Sequence, residues 1–215
     1  MKNKIKVGIT QRVDRVESHN EYRDALDQRL VDWVIRSGFL PLPIPNSLVN
    51  ISESNDIQPN LDSWLNEFEI DMLLLSGGNN IGDIKQRDLT EKYLLSWAEE
   101  YKKPVLGICR GMQMMGIYSG VDLVEVDRHV RSRHQLKMNN KNINFLPESV
   151  NSYHNLALKE CPDKYQILAE SEDGCIEAIK HNRLSWEGWM WHPEREIPYN
   201  NIDQIRFKGL VNNDK

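Results

Sequence analysis

The fold is decided by a stretch that runs Lys103-Pro104-Val105-Leu106-Gly107-Ile108-Cys109-Arg110-Gly111-Met112-Gln113. Its apolar first half is typical of a buried strand, and its second half continues into a helical pattern. Gly107 and Gly111 stand two residues either side of Cys109, where a Cβ would collide with the crossing backbone of a sharp strand-to-helix turn. The turn places the cysteine at a helix N-terminus, whose free N–H groups favour the thiolate. The stretch predicts a nucleophile elbow, with Cys109 as the candidate nucleophile.

The length and charge of the chain limit the classes of protein to consider. At 215 residues, 40% of them hydrophobic, the sequence suits one domain over residues 1–215. A formal net charge of -5 disfavours a general nucleic-acid or membrane-surface binder, so we expect a small-molecule substrate, no nucleic acid and no membrane. There is no signal-peptide pattern, and Cys109, Cys161 and Cys175 lack paired spacing. These features predict a reduced protein in the cytoplasm.

Apolar runs alternate with helical patterns through the first half of the chain. The predicted strands are Lys6–Thr10, an edge strand within Phe39–Pro45, Asp71–Leu75 and the strand before Cys109. The predicted helices are Glu21–Ser37, Leu61–Phe68 and Thr90–Tyr101, with a loop over Asn46–Gln58. This alternation predicts an α/β fold with a mostly parallel sheet flanked by helices.

The last third of the chain has a different pattern. Short strands are predicted at Gln166–Ala169, Ile176–Lys180 and Trp186–Trp191, with a hairpin turn at Asp173-Gly174. A final helix is predicted near Ile202–Leu210. We therefore expect a small antiparallel C-terminal portion.

A cysteine nucleophile needs a base, and the base needs a group that orients it. His192 and Glu194 follow a predicted strand, and residues two apart in extended chain point to the same side. Cys109, His192 and Glu194 are therefore the predicted catalytic triad. Two backbone N–H groups, from Arg110 after the nucleophile and from Gly78 in the turn after the neighbouring strand, are the predicted oxyanion hole. The scheme requires no metal and no cofactor.

Three motifs occur in the order of a known family. They are Leu75-Ser76-Gly77-Gly78, then Gly107-Ile108-Cys109-Arg110-Gly111-Met112-Gln113, then His192-Pro193-Glu194. In this combination the chain resembles the class I glutamine amidotransferase family over nearly its whole length. The resemblance implies a flavodoxin-like, class I glutamine amidotransferase-like fold and cleavage of an amide through a thioester.

Further segments are similar to the gamma-glutamyl hydrolase-like branch of that family. They are Val7–Gln11, Asn151–His154 and Ser171–Ile179. This resemblance implies a γ-glutamyl amide substrate. It also implies that Gln113, with Ser152, Tyr153 and His154, holds the α-amino and α-carboxylate groups of the glutamyl moiety.

The segment Arg128–Lys137 concentrates positive charge in an otherwise acidic chain. Arg131 and Arg133 are the candidate phosphate-binding residues, because the planar guanidinium suits phosphate. The alternative is a solvated basic loop or a surface for an acidic partner. The chain also resembles the hydrolases of bacterial capsule phosphoramidate synthesis, which implies a nucleotide-linked γ-glutamyl substrate.

Other interpretations of these motifs stay open. The chain could be a glutaminase subunit that passes ammonia to a separate synthetase partner, or a binding module with an unused triad. His19, His129, His134 and His181 lack metal-ligand spacing with a nearby cysteine, which favours surface or hydrogen-bonding roles over zinc.

Overall fold

The computed structural model describes residues 4–49, 59–138 and 146–212. The strands are β1 Lys6–Thr10, β2 Arg12–Val16, β3 Glu21–Ala25, β4 Leu40–Ile44, β5 Met72–Leu75, β6 Val105–Ile108, β7 Leu123–Glu125, β8 Val130–Gln135, β9 Lys137–Met138, β10 Ser149–Tyr153, β11 Leu156–Leu158, β12 Tyr165–Glu170, β13 Ile176–His181 and β14 Trp186–Trp189. The α-helices are α1 Gln28–Arg36, α2 Pro59–Phe68, α3 Lys85–Glu100, α4 Arg110–Tyr118 and α5 Asn201–Asn212.

The central sheet has the order β4-β1-β5-β6-β14-β13-β12-β9. The strands from β4 to β14 are parallel, and β13, β12 and β9 continue the sheet in antiparallel fashion. The predicted α/β fold, mostly parallel with an antiparallel C-terminal portion, is confirmed. The carboxyl ends of β1, β5, β6 and β14 meet at one edge, where ligands collect in sheets of this type.

Both faces of the sheet are buried, which explains the continuous apolar runs of its parallel strands. Leu73 and Leu75 point into one core layer, and Met72 and Leu74 point into the other. The alternation continues in β6, where Leu106 and Ile108 belong to the second layer. The second layer also holds Trp189 and Trp191, stacked with ring centroids 5.2 Å apart.

The predicted helix Glu21–Ser37 is wrong in its first part. Glu21–Ala25 is a strand that pairs antiparallel with Arg12–Val16, and this hairpin was not predicted. The helix begins at Gln28, because the side chain of Asp27 accepts a hydrogen bond from the Arg29 N–H and caps it. Tyr22 thus lies on an exposed strand although its spacing fits the helical pattern of the residues that follow.

The bounds of one helix and one strand also differ from the predicted ones. The helix predicted from Thr90 begins at Lys85, and the strand predicted to end at Trp191 ends at Trp189. The loop predicted at Asn46–Gln58 begins with a 3-10 turn at Asn46–Leu48, and its residues 50–58 lie outside the described part of the chain. Among the described helices, none has the length and apolar character needed to cross a membrane.

Candidate active site

Cys109 lies between β6 and α4 at the sharp turn that the sequence predicts. Its backbone has φ 51° and ψ -104°, and its N–H donates to the Trp189 carbonyl oxygen at 2.7 Å. A Cβ on Gly111 would lie 2.2 Å from the Leu75 carbonyl oxygen, and one on Gly107 would lie 2.7 Å from the Gly111 carbonyl carbon. Both glycines are therefore required by the close approach of neighbouring backbone.

His192 and Glu194 follow β14 at the same edge of the sheet. The Nδ1 atom of His192 lies 2.7 Å from the Oε1 atom of Glu194, and both side chains are buried. Burial disfavours the charged imidazole, but the negative charges of Glu194 and Cys109 outweigh it and raise the pKa of His192 to about 9. The site therefore favours an imidazolium beside the cysteine.

Asn151 fixes the backbone of His192 from the strand β10. Its Oδ1 atom accepts from the His192 N–H at 3.0 Å, and its Nδ2 atom donates to the His192 carbonyl oxygen at 2.8 Å. The same amide also donates to the Glu196 carboxylate at 2.8 Å. Sequence reasoning placed Asn151 only within a family-like segment and did not identify this positioning role, which depends on a contact across 41 residues.

The turn with Gly77 and Gly78 faces the histidine ring. A Cβ on Gly77 would lie 2.7 Å from the His192 Cε1 atom, so only glycine fits there. The Arg87 guanidinium donates to the carbonyl oxygens of Ser76 at 2.7 Å and of Gly77 at 3.0 Å. Because a trans peptide points its C=O and N–H in opposite directions, the Gly78 N–H faces away from Arg87.

A buried ion network joins this turn to the elbow. The Arg110 guanidinium pairs with Glu91 and Asp88, and the Arg87 Nε atom lies 3.0 Å from the Glu91 Oε1 atom. The Thr10 hydroxyl donates to the same Glu91 oxygen at 2.9 Å. Sequence reasoning used only the backbone of Arg110, whereas its side chain connects α4 to α3.

The predicted glutamyl-binding residues take different positions. The Gln113 amide donates to the Leu156 carbonyl oxygen at 2.8 Å, and the buried Ser152 hydroxyl donates to the His129 carbonyl oxygen at 2.6 Å. Tyr153 is exposed, with its ring edge-on to His192 at a centroid distance of 5.8 Å. Of these residues, the structure brings Tyr153 beside the histidine.

His154 points to the other side of the strand from Tyr153. It is buried, and its Nδ1 atom lies 3.2 Å from the Leu156 carbonyl oxygen. Its Nε2 atom lies 3.5 Å from the Glu177 Oε1 atom. The role of His154 and of the other three residues toward a glutamyl group stays a prediction.

A cavity of about 230 Å³ lies beside His192, with Gly78 in its wall. Two arginines that the sequence did not single out, Arg12 and Arg195, also line it. Arg12 pairs with Asp14 at 2.6 Å, and the Arg195 guanidinium lies 4.5 Å from the centroid of the Tyr153 ring. The carboxylates of Asp14, Asp27 and Glu194 line it as well, so the cavity holds charges of both signs next to the histidine.

The basic segment adjoins this region without lining that cavity. The Arg133 Nη1 atom lies 2.8 Å from the Glu196 Oε1 atom, the carboxylate that Asn151 also contacts. Arg131, with φ 56°, is the extra residue of a bulge where β8 pairs with β10. Phosphate binding by Arg131 and Arg133 stays a prediction, and Arg133 already has a carboxylate partner.

The chain is similar to known proteins in both sequence and fold. A family model described as Peptidase C26 matches residues 6–194. The gamma-glutamyl-CDP-amidate hydrolase of Campylobacter jejuni is 31% identical, over 93% of this chain and 95% of that protein. The gamma-glutamyl-gamma-aminobutyrate hydrolase of Escherichia coli is 24% identical, over 95% of this chain and 91% of that protein. The crystal structure of a glutamine amidotransferase from Thermotoga maritima has a TM-score of 0.63 at 15% identity, covering 99% of this chain and 86% of that one.

Proposed function

The chain belongs to the Peptidase C26 family, with its class I glutamine amidotransferase-like fold, and from this premise we propose that it is a cysteine hydrolase that releases L-glutamate from a γ-glutamyl amide. The observation that carries the proposal is the contact of His192 Nδ1 with Glu194 at 2.7 Å beside the strained elbow of Cys109. The raised pKa of His192 supports a proton donor beside the nucleophile.

In the proposed reaction the Cys109 thiolate attacks the γ-carbonyl carbon. The N–H groups of Gly78 and Arg110 stabilise the tetrahedral oxyanion, and Arg87 supports this role by fixing the peptide before Gly78. His192 donates its proton to the departing nitrogen as the C–N bond breaks, which leaves a glutamyl thioester. The neutral His192 then takes a proton from water, whose oxygen attacks the thioester carbon. The C–S bond breaks, which releases glutamate and regenerates the Cys109 thiolate beside the His192 imidazolium.

For the substrate we propose γ-glutamyl-CDP-amidate, which yields glutamate and cytidine diphosphoramidate. The 31% identity to a hydrolase of that name, over almost the whole length of both proteins, supports this choice. Arg12 and Arg195, which line the adjacent cavity together with three carboxylates, are candidate partners for the diphosphate, because the planar guanidinium suits phosphate. Arg131 and Arg133 are further candidates for the same anion.

The test is glutamate release by the purified chain with γ-glutamyl-CDP-amidate, γ-glutamyl-γ-aminobutyrate and glutamine compared at equal concentration. We expect the nucleotide to have the highest kcat/KM, and we expect Cys109→Ser to lower it by at least about 10³-fold, because the sulfur forms the covalent intermediate. Equal rates for the first two substrates would remove the nucleotide assignment. Turnover by Cys109→Ser near the original rate would remove the mechanism.

The same assay distinguishes the hydrolase from a glutaminase subunit, the alternative that is compatible with the fold of a glutamine amidotransferase. A glutaminase subunit would release glutamate from glutamine, and its rate would rise only when a synthetase partner is added.

The variant Arg133→Gln tests whether Arg133 binds the diphosphate. If Arg133 binds the diphosphate, this variant raises KM for the nucleotide substrate and leaves KM for γ-glutamyl-γ-aminobutyrate unchanged.

A further inference from the structure

A second cluster of reactive side chains lies on the far side of β10 from Tyr153. His129 precedes β8, His134 lies within it, His154 follows β10 and Glu177 lies in β13. His129, His154 and Glu177 are buried, and the rings of His129 and His134 have centroids 4.1 Å apart. The catalytic scheme uses none of these imidazoles as acid or base.

The inner atoms of this cluster are close together and lack hydrogen-bond partners. The Glu177 Oε1 atom lies 3.4 Å from the His129 Nδ1 atom and 3.5 Å from the His154 Nε2 atom. Within the described residues, both nitrogens and both Glu177 oxygens are buried and make no hydrogen bond. A buried carboxylate in that state is strongly unfavourable unless a cation compensates its charge.

The outer nitrogens of two of these rings are already engaged. The His129 Nε2 atom lies 2.9 Å from the Asp173 Oδ2 atom, and the His154 Nδ1 atom lies 3.2 Å from the Leu156 carbonyl oxygen. Each acceptor fixes the proton on the outer nitrogen, so the lone pair of the inner nitrogen points toward Glu177. Metal-binding histidines are held in this way, by a carboxylate or a backbone carbonyl behind the ring.

The spacing of the inner atoms also fits a metal ion. One ligand atom each from His129, His134 and Glu177 all lie within 4.8 Å of one another. Ligands about 2.0–2.1 Å from a tetrahedral zinc ion lie about 3.3–3.4 Å apart. The separation of 3.4 Å between the Glu177 Oε1 atom and the His129 Nδ1 atom is close to that value.

We propose that His129, His134 and Glu177 bind a divalent transition-metal ion, with Zn²⁺ the best match. Imidazole nitrogens with one carboxylate oxygen suit zinc, whereas magnesium and calcium prefer oxygen ligands alone. None of these ligands belongs to the Cys109, His192 and Glu194 triad, so the ion would be structural. The sequence offered no zinc spacing because the ligands come from β8, the residue before it and β13.

A metal ion at this site would link the antiparallel pair of β8 and β10, here called the β8–β10 ribbon, to the central sheet. Glu177 belongs to β13 of the sheet, whereas His134 lies in β8 of the ribbon and His129 directly precedes β8. The ribbon also carries Asn151, which holds the backbone of His192. A metal ion there would stabilise the support of the active site without contact with substrate.

The test uses the full chain with Cys109→Ser, so that the active-site thiol cannot bind the probe metal. After treatment with a chelator and removal of the chelator, the protein is titrated with Zn²⁺. We expect one bound ion per chain and a Tm higher by about 5 °C or more at a hundredfold excess over Kd. Glu177→Gln and His134→Gln should each weaken binding at least tenfold, whereas the exposed His19→Gln should leave it unchanged.

X-ray absorption at the zinc edge tests the site without reliance on variants that could fail to fold. The proposal requires nitrogen and oxygen neighbours at about 2.0 Å and no sulfur at about 2.3 Å. Absence of stoichiometric uptake, a sulfur neighbour, or equal affinity in Glu177→Gln would each overturn it. In the first case a shared proton rather than a metal would compensate the Glu177 carboxylate.

Discussion

At the residue level, Cys109 has a backbone conformation that a non-glycine residue rarely adopts. Its φ of 51° with ψ of -104° is held by the hydrogen bond to Trp189 and by the tight passage between Gly107 and Gly111. Strain of this kind persists only where the surrounding structure enforces it, and it is concentrated at active sites. The sequence predicts this strained turn because its steric requirements act between near neighbours in the chain.

The protonation of His192 gives a prediction about pH. With a pKa of about 9, the imidazolium that donates to the leaving nitrogen is present below that pH and is lost above it. We therefore expect kcat/KM for the γ-glutamyl substrate to fall about tenfold per pH unit above about pH 9. The measurement is a pH profile of kcat/KM with the full chain.

Glu194→Gln is the matched variant for this profile. It removes the negative charge that raises the pKa of His192 while keeping the shape of the side chain, so the basic limb should move to lower pH. An unchanged limb in Glu194→Gln would assign the loss of activity above pH 9 to another group.

At the level of elements, α3 has a face that carries charges into the interior. Arg87, Asp88 and Glu91 lie on the side of this helix that faces the elbow and the Gly77–Gly78 turn, and all three are buried. Buried ion pairs contribute little net free energy relative to apolar residues, but they fix geometry. Here Arg87 also donates to the Gly77 carbonyl oxygen and so holds the peptide that carries the Gly78 N–H of the proposed oxyanion hole.

Removal of one charge from this network should lower the free energy of unfolding. Glu91→Gln leaves Arg87 and Arg110 without their shared carboxylate, and we expect the free energy of unfolding to fall by about 3–5 kcal/mol. Urea denaturation with an unchanged m-value measures the difference.

Glu99→Gln on the same helix is the control. Glu99 is partly exposed and pairs with the exposed Lys164, and the Tyr118 hydroxyl that donates to it can donate to the amide oxygen of Gln instead. Its substitution should therefore change the free energy of unfolding by less than about 1 kcal/mol. Equal losses in the free energy of unfolding would mean that the buried Glu91 carboxylate contributes no more to stability than the partly exposed Glu99.

At the level of the whole molecule, the C-terminal helix α5 packs over the sheet face near the active site. Phe207 of this helix stacks on Trp33 of α1, with ring centroids 4.7 Å apart. Asp203, also on α5, is buried and accepts a hydrogen bond from the Trp191 Nε1 atom at 3.3 Å. The packing of α5 thus closes the core layer that extends to the residue before His192.

Asp203 makes global stability depend on pH. Burial raises the pKa of its carboxyl to about 7, so the folded state keeps a proton that the unfolded state loses above about pH 4. Stability from this group is therefore lost as pH rises from about 4 to about 7, and the full penalty is about 4 kcal/mol. Asp203→Asn should be more stable than the original chain at pH 8, with a smaller gain at pH 5, by thermal or urea unfolding.

The exposed Asp163 supplies the comparison for this measurement. Asp163→Asn should change stability by the same small amount at pH 5 and pH 8. A gain from Asp203→Asn that does not grow with pH would show that the Asp203 carboxyl ionises normally in the folded protein.

The parallel strands, the elbow and the pairing of His192 with Glu194 follow from the amino-acid order, because each depends on residues within a few positions of one another. Contacts between distant segments were not readable in this way. Glu21–Ala25 forms a strand because Arg12–Val16 is there to pair with it, against a helical spacing that continues into α1. The Arg87–Glu91–Arg110 network and the His129–His134–Glu177 cluster likewise exist only once the sheet brings their elements together, since charge pairing and metal binding depend on distance in space.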